Sequence, residues 1–175
     1  MRVPLKPHPD TPSDAVTRIE VEVECPQPGS LALRYFVTGD IGEVLLPPPA
    51  APTRADDLWQ RSCFEAFLRE ESDAGYHEFN FAPSSQWAAY QFTDYREGRR
   101  PAAVTVPIIE AHADAGYYEL HATLDWSVPA QMALSAVIEE RIGRKSYWAL
   151  AHPSGDPDFH HPDCFVLRLP APRAS

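Results

Sequence analysis

The stretch LWQRSCFEAFLREESDAGYHEFNFAPSSQWAAYQFTDYR, residues 58–96, decides the fold. From Ser62 to Arg69 the chain places Phe64, Ala66 and Leu68 on one face and Cys63, Glu65 and Phe67 on the other. From Tyr76 to Phe81, His77, Phe79 and Phe81 stand opposite Tyr76, Glu78 and Asn80. Trp87 to Phe92 follows a Pro-Ser-Ser turn. A period of two is the signature of a strand, whose successive side chains leave on opposite faces.

The same rhythm runs outward in both directions. Ile19, Val21, Val23 and Cys25 alternate with Glu20, Glu22 and Glu24. Leu31, Leu33, Tyr35 and Val37 resume it beyond Pro28-Gly29, which predicts a hairpin with a solvated glutamate row. Further strands are expected at Val104–Ile108, Tyr118–Leu124, Ala136–Arg141, Ser146–Ala151 and Cys164–Leu169. Ser127 as an N-cap predicts one short helix over Val128–Leu134. The 19 prolines fall between these runs and cut the chain into short segments. The expectation is an all-β chain: an antiparallel β-sandwich, jelly-roll-like, of about nine or ten strands with one short helical segment. Its single ligand-binding domain is expected over 15–169, between an N-terminal extension (1–14) and a C-terminal tail (170–175).

With 175 residues, the chain is long enough for one core without a disulfide or metal staple. A net charge of −10 argues against nucleic acid and anionic membranes as partners, since both demand a basic patch. The three cysteines, Cys25, Cys63 and Cys164, include no CxxC pair and resemble neither a disulfide framework nor a zinc cage. The first residues lack an apolar signal region, and no run approaches the ~18 apolar residues of a membrane helix. A cytoplasmic protein, monomer or homodimer, is the resulting expectation.

Ten aromatic residues crowd residues 58–96, and alternation prevents all of them from reaching one core. A strand face carrying Tyr76, Glu78 and Asn80 mixes aromatic, carboxyl and amide groups. Such a face suits a sugar, whose C–H side stacks on a ring while its hydroxyls bond polar groups. The competing reading is that each Tyr or Trp is a core residue with a satisfied polar tip.

The runs CFEAFL, YHEFNFAPSSQWAAY and DYREG resemble the DOMON-like superfamily that includes family 9 carbohydrate-binding modules, above all its small stand-alone bacterial members. The points of resemblance are an acidic residue inside an apolar strand (Glu65), a Tyr-x-Glu-Phe strand (Tyr76 to Phe79), and a turn leading to an aromatic (Asn80 to Trp87). Ser84-Ser85 stands where glycine is common. The late segment Tyr147 to Asp163 is similar as well. The resemblance implies a β-sandwich binding sugar or, in other branches, haem, with no catalytic activity. It carries Trp59 over by its place before the acidic strand and Trp87 by its place after the turn. Glu65, Asn80 and Arg96 carry over by position and chemistry. With Tyr90 and Tyr95 they form the expected ligand-binding set, Trp59 and Trp87 stacking on ring faces and the others bonding hydroxyls.

A second cluster, His152 to Asp163, holds three imidazoles and three carboxylates. It reads as a ligand lining through His160 and His161, as a metal site, or as a loop held by bonds to its own backbone. Other chemistries find less footing. Glu65 and Glu78 could pair for glycoside hydrolysis. Ser154, His152 and Asp156 lack a G-x-S-x-G elbow, and Cys63 lies inside a strand. No dinucleotide fingerprint or P-loop occurs. For haem there is no CxxCH, and the internal Met132 reads as core. The resemblance, with the aromatic and polar set, implies non-catalytic binding of a carbohydrate or sugar-containing metabolite with no cofactor and no metal; the alternatives are a metal-dependent enzyme or haem-binding protein using the His152–Asp163 loop, or a protein-interaction module with no small-molecule ligand.

Overall fold

The computed structural model describes residues 1–70 and 73–169. Twelve strands make up the fold: β1 (Arg2–Pro7), β2 (Val16–Glu24), β3 (Ser30–Gly39), β4 (Cys63–Glu70), β5 (Tyr76–Phe81), β6 (Trp87–Phe92), β7 (Arg100–Pro101), β8 (Ile108–Asp114), β9 (Tyr117–Asp125), β10 (Ala130–Glu139), β11 (Lys145–Ala149) and β12 (Leu167–Leu169). Among the described residues these strands pair only antiparallel, in the order β7-β6-β5-β4-β10-β11-β1-β2-β3-β9-β8, with β12 also on β10.

One hydrogen-bonded path thus folds over on itself, and β1 is its corner. Val3 and Leu5 pair with β2, while Lys6 and Pro7 pair with β11. The N-terminal segment expected as an extension therefore supplies the strand that joins the two halves. Residues 170–175, expected as a tail, lie outside the described residues.

Core residues come from the alternation. Ile19, Val21, Leu31, Leu33, Tyr35 and Leu120 of one half meet Phe64, Ala66, Leu68, Phe79 and Phe81 of the other, all buried. Across the middle, the Tyr35 hydroxyl donates to the Glu65 carbonyl at 2.7 Å, and Phe64 stacks on Tyr118. The predicted hairpin is β2–β3, turning at Gly29 with φ of 83°. Its glutamate row faces outward onto Arg2, Arg18 and Arg34.

The predicted helix over Val128–Leu134 does not form; Ala130–Leu134 open β10. This strand lies between β4 and β11 and is buried on both faces. A doubly buried strand shows a continuous apolar run, which periodicity alone does not separate from a buried helix. Two other boundaries differ. The expected strand at Val104 starts only at Ile108, after Pro107. The one at Cys164 begins as a 3₁₀ turn, Pro162–Cys164, before β12.

Candidate functional site

Register decides which side chains share a face. Glu65 stands opposite Asn80, and Phe67 opposite Glu78. On the far side of β5, Glu78 faces Tyr90 and Tyr76 faces Phe92. On β10, Ser135 lies opposite Glu65 and Val137 opposite both Cys63 and Tyr147. These residues form the outer face of the β4–β5–β6–β10–β11 half, turned away from the main core. The segment 152–165 crosses that face. Phe165 and Cys164 pack with Phe67, Tyr76, Tyr90 and Phe92 into a second apolar cluster, with Phe159 against it.

Between this covering segment and the sheet lies a cavity of about 480 Å³. Its floor carries Glu65, Glu78 and Val137. Its walls include Tyr90, Phe92, Tyr147, Phe159 and His160, and Trp59, Arg96 and Arg99 also line it. Trp59 sits in a 3₁₀ turn, Leu58–Gln60, and is 47% exposed.

Hydrogen bonds hold the lining in place. Tyr76 accepts from the Arg96 backbone N–H at 3.2 Å and bonds His160 Nδ1 at 2.7 Å. When the tyrosine donates its proton to Nδ1, the Nε2–H of His160 faces Glu78 Oε2, 3.7 Å away. Asp158 accepts from Arg96 at 2.7 Å and from the Tyr95 hydroxyl, tying the covering segment to the 94–99 turn. The Tyr90 hydroxyl donates to Asp56 at 2.5 Å, and the Arg99 guanidinium lies 4.0 Å from the centre of the Tyr90 ring.

The electrostatics are dominated by two carboxyls, Glu65 and Glu78, only 3% and 6% exposed. Burial, with nearby Glu78 adding to it, pushes Glu65 up to about 8, against the bond from Ser135. Burial also raises Glu78, opposed by the Asn80 bond and by Arg99 and Arg96. Burial and the charge of Arg96 lower His160 to about 4, so it is neutral at pH 7. Burial works upward on Asp158, but the bonds from Tyr95 and Arg96 hold it below its ordinary value.

Of the nine expected residues, the structure brings Trp59, Glu65, Tyr90, Arg96 and His160 to the cavity. Asn80 is buried beside it and donates to Glu78 at 2.7 Å. Tyr95 and His161 form an edge contact at the surface; Tyr95 reaches Asp158 rather than the cavity. Trp87 is a correction. It pairs with Phe81, is 4% exposed and belongs to the main core, so it offers no ring face to a ligand.

The three imidazoles of the His152–Asp163 stretch do not converge. His152 Nε2 bonds the Lys6 carbonyl at 2.8 Å, His160 bonds Tyr76, and His161 accepts from the Asp163 N–H at 3.2 Å. Among the described residues no group of three His, Cys, Asp or Glu is arranged to hold a metal ion.

The expected ligand set omitted Glu78, Arg99, Tyr147 and Phe159, which line the cavity. Alternation did place Glu78 on one face with Tyr76 and Asn80. The placement of the other three depends on how loops and strands pack, for which no local signal exists.

No family model and no curated protein matches this chain. Among solved structures, it is similar to a "putative carbohydrate-binding protein" from Bacteroides uniformis ATCC 8492, with a TM-score of 0.67 and 17% identity. That match covers 94% of this chain and 83% of the other. A family 9 carbohydrate-binding module from Caldicellulosiruptor kristjanssonii, solved in complex with glucose, matches at a TM-score of 0.47 and 12% identity over 86% of this chain and 76% of that one. At such identities the likeness is one of fold: a β-sandwich of the kind seen in the Bacteroides protein.

Proposed function

We propose that this protein binds a saccharide in the cavity between Trp59, Glu65, Glu78, Tyr90 and His160, without changing it chemically. The observation that carries the reading is the lining itself. Aromatic faces and hydroxyl-bonding groups converge on one space of about 480 Å³, within the range of small-molecule sites. A sugar needs both: a ring for its C–H side and polar partners for its hydroxyls. The half-exposed Trp59 indole suits the first role. The fold shared with the Bacteroides protein adds support.

Among the described residues no helix is long and apolar enough to cross a membrane. Three unpaired cysteines favour a reducing, cytoplasmic setting. There a free saccharide, a nucleotide sugar or a cell-wall precursor is the fitting ligand class.

The test is isothermal titration of mono- and disaccharides into the native protein and into Trp59→Ala. Losing an exposed stacking ring should weaken binding by roughly tenfold or more, as for an aromatic anchor. The thermal midpoint should stay within about 2 °C, since surface substitutions change stability little. Unchanged affinity in Trp59→Ala, or no saccharide bound by the native protein, overturns the reading.

A further inference from the structure

Among the described residues, no cation hydrogen-bonds the two carboxyls on the cavity floor. Glu65 and Glu78 are diagonal neighbours on adjacent strands of one face. Glu65 Oε2 accepts from the Ser135 hydroxyl at 3.0 Å, and Glu78 Oε1 from the Asn80 amide at 2.7 Å. Both donors are neutral. Among the described residues, Glu65 Oε1 and Glu78 Oε2 accept no hydrogen bond, and the nearest basic group is the neutral His160, 3.7 Å from Glu78. The cavity's cations, Arg96 and Arg99, act on Glu78 only through their charge; their direct contacts are with Asp158 and the Tyr90 ring. Buried carboxyls are ordinarily paired, because leaving a charge alone in a low-dielectric site is costly. Here the partner is missing on the side that faces the cavity.

We infer that the saccharide taken by this cavity carries a free amino group, whose ammonium seats between Glu65 and Glu78. The inference rests on the saccharide reading above and names the ligand class. An ammonium brings three N–H donors and no acceptor, enough to engage both free carboxyl oxygens. The faces of Tyr90, Phe92 and Phe159 cover the apolar side of the sugar and favour the nearby positive charge. An anionic sugar would meet two carboxyls and two arginines already engaged. A neutral sugar would bring no charge to the two carboxyl oxygens that face the cavity.

Seating the ammonium also moves a proton. Near neutral pH Glu65 holds one, being raised to about 8. The incoming cation favours the ionised form, so the proton leaves to the buffer as the ion pair forms. The groups facing Glu65 are Glu78, Ser135, Cys63 and Tyr35. Burial pushes the Cys63 thiol and the Tyr35 phenol well above their ordinary values, so neither takes that proton up or gives one. Glu78 faces Asn80, His160, Arg96 and Arg99.

The experiment is calorimetric titration of the native protein at pH 7, in phosphate and in MOPS, with glucosamine, N-acetylglucosamine, glucose and cyclohexylamine. Glucosamine should bind at least about tenfold tighter than the other three, the gain of a charged hydrogen-bonded pair. Its binding heat should differ between the buffers because a proton is released. Glu78→Gln should abolish the preference for glucosamine over glucose, bringing the two affinities within about threefold of each other. If glucose or N-acetylglucosamine binds as tightly as glucosamine, the amino-sugar inference falls and the saccharide reading stands. If cyclohexylamine binds as tightly, the floor recognises ammonium but not a sugar, and the amino-sugar assignment falls with the saccharide reading. Binding of none of the four overturns the inference in the native protein, whatever the variant does.

Discussion

Trp87→Ala is expected to destabilise the protein by about 3–5 kcal/mol, the cost of truncating a large buried aromatic. For a chain of this length that lowers the thermal midpoint by roughly 10 °C. The ring is 4% exposed and belongs to the main core with Phe79, Phe81 and Ala89. Its far side carries the Arg54 guanidinium, 4.4 Å from the ring. Arg54 in turn donates to the Ala89 and Ala102 carbonyls at 2.8 Å, which pins the 47–57 loop against β6. Removing the indole therefore opens a cavity and frees a loop. Saccharide affinity, measured below the new midpoint, should change much less than in Trp59→Ala. A loss of binding without loss of stability would return Trp87 to the ligand site.

The native protein is expected to lose stability as pH rises from 6.5 to 9, by about 2 kcal/mol from Glu65 alone. The sign follows from two groups. Glu65 is raised from 4.5 to about 8, so its folded form holds a proton that the unfolded chain has already released. Its contribution is complete below about 4.5 and is lost as pH climbs through 8. His160 is lowered from 6.5 to about 4, so its contribution is complete above 6.5 and is lost as pH falls through 4. Between about 4.5 and 6.5 the two slopes oppose each other and stability is nearly flat. Above 6.5 only the Glu65 slope remains, reinforced by Glu78, which burial also raises.

Glu65→Gln removes the group that must ionise while keeping its shape and a hydrogen bond with Ser135. The variant should match the native protein near pH 5 and exceed it by on the order of 4 kcal/mol at pH 9. Urea denaturation at pH 5, 7 and 9 reads both profiles. Parallel profiles for the two proteins would mean that the buried carboxyl does not titrate as its surroundings require.

The amino-acid sequence by itself determined the strands and their faces. In residues 62–92, alternation separated Phe64, Phe79 and Phe81 from Glu65, Glu78 and Asn80, because adjacent side chains on a strand must point apart. The Pro28-Gly29 turn marked the β2–β3 hairpin for a reason equally local: Gly29 has a positive φ that few other residues accept. β10 escaped because burial on both faces erased its alternation.

Only the tertiary structure decided which aromatic rings reach the cavity. Trp59 and Trp87 look equivalent in the chain, each a tryptophan flanking a patterned strand. Pairing with Phe81 sends Trp87 into the core, whereas a turn outside the sheet leaves Trp59 at the cavity. The partners of Glu65 and Glu78 were likewise undetermined. They depend on the register of β4 with β5 and on a covering segment more than 60 residues away in the chain, contacts that no local pattern encodes. Alternation is a property of one strand's backbone. A binding site is a property of several strands and a loop brought together, and the side chains it gathers are set by register and packing.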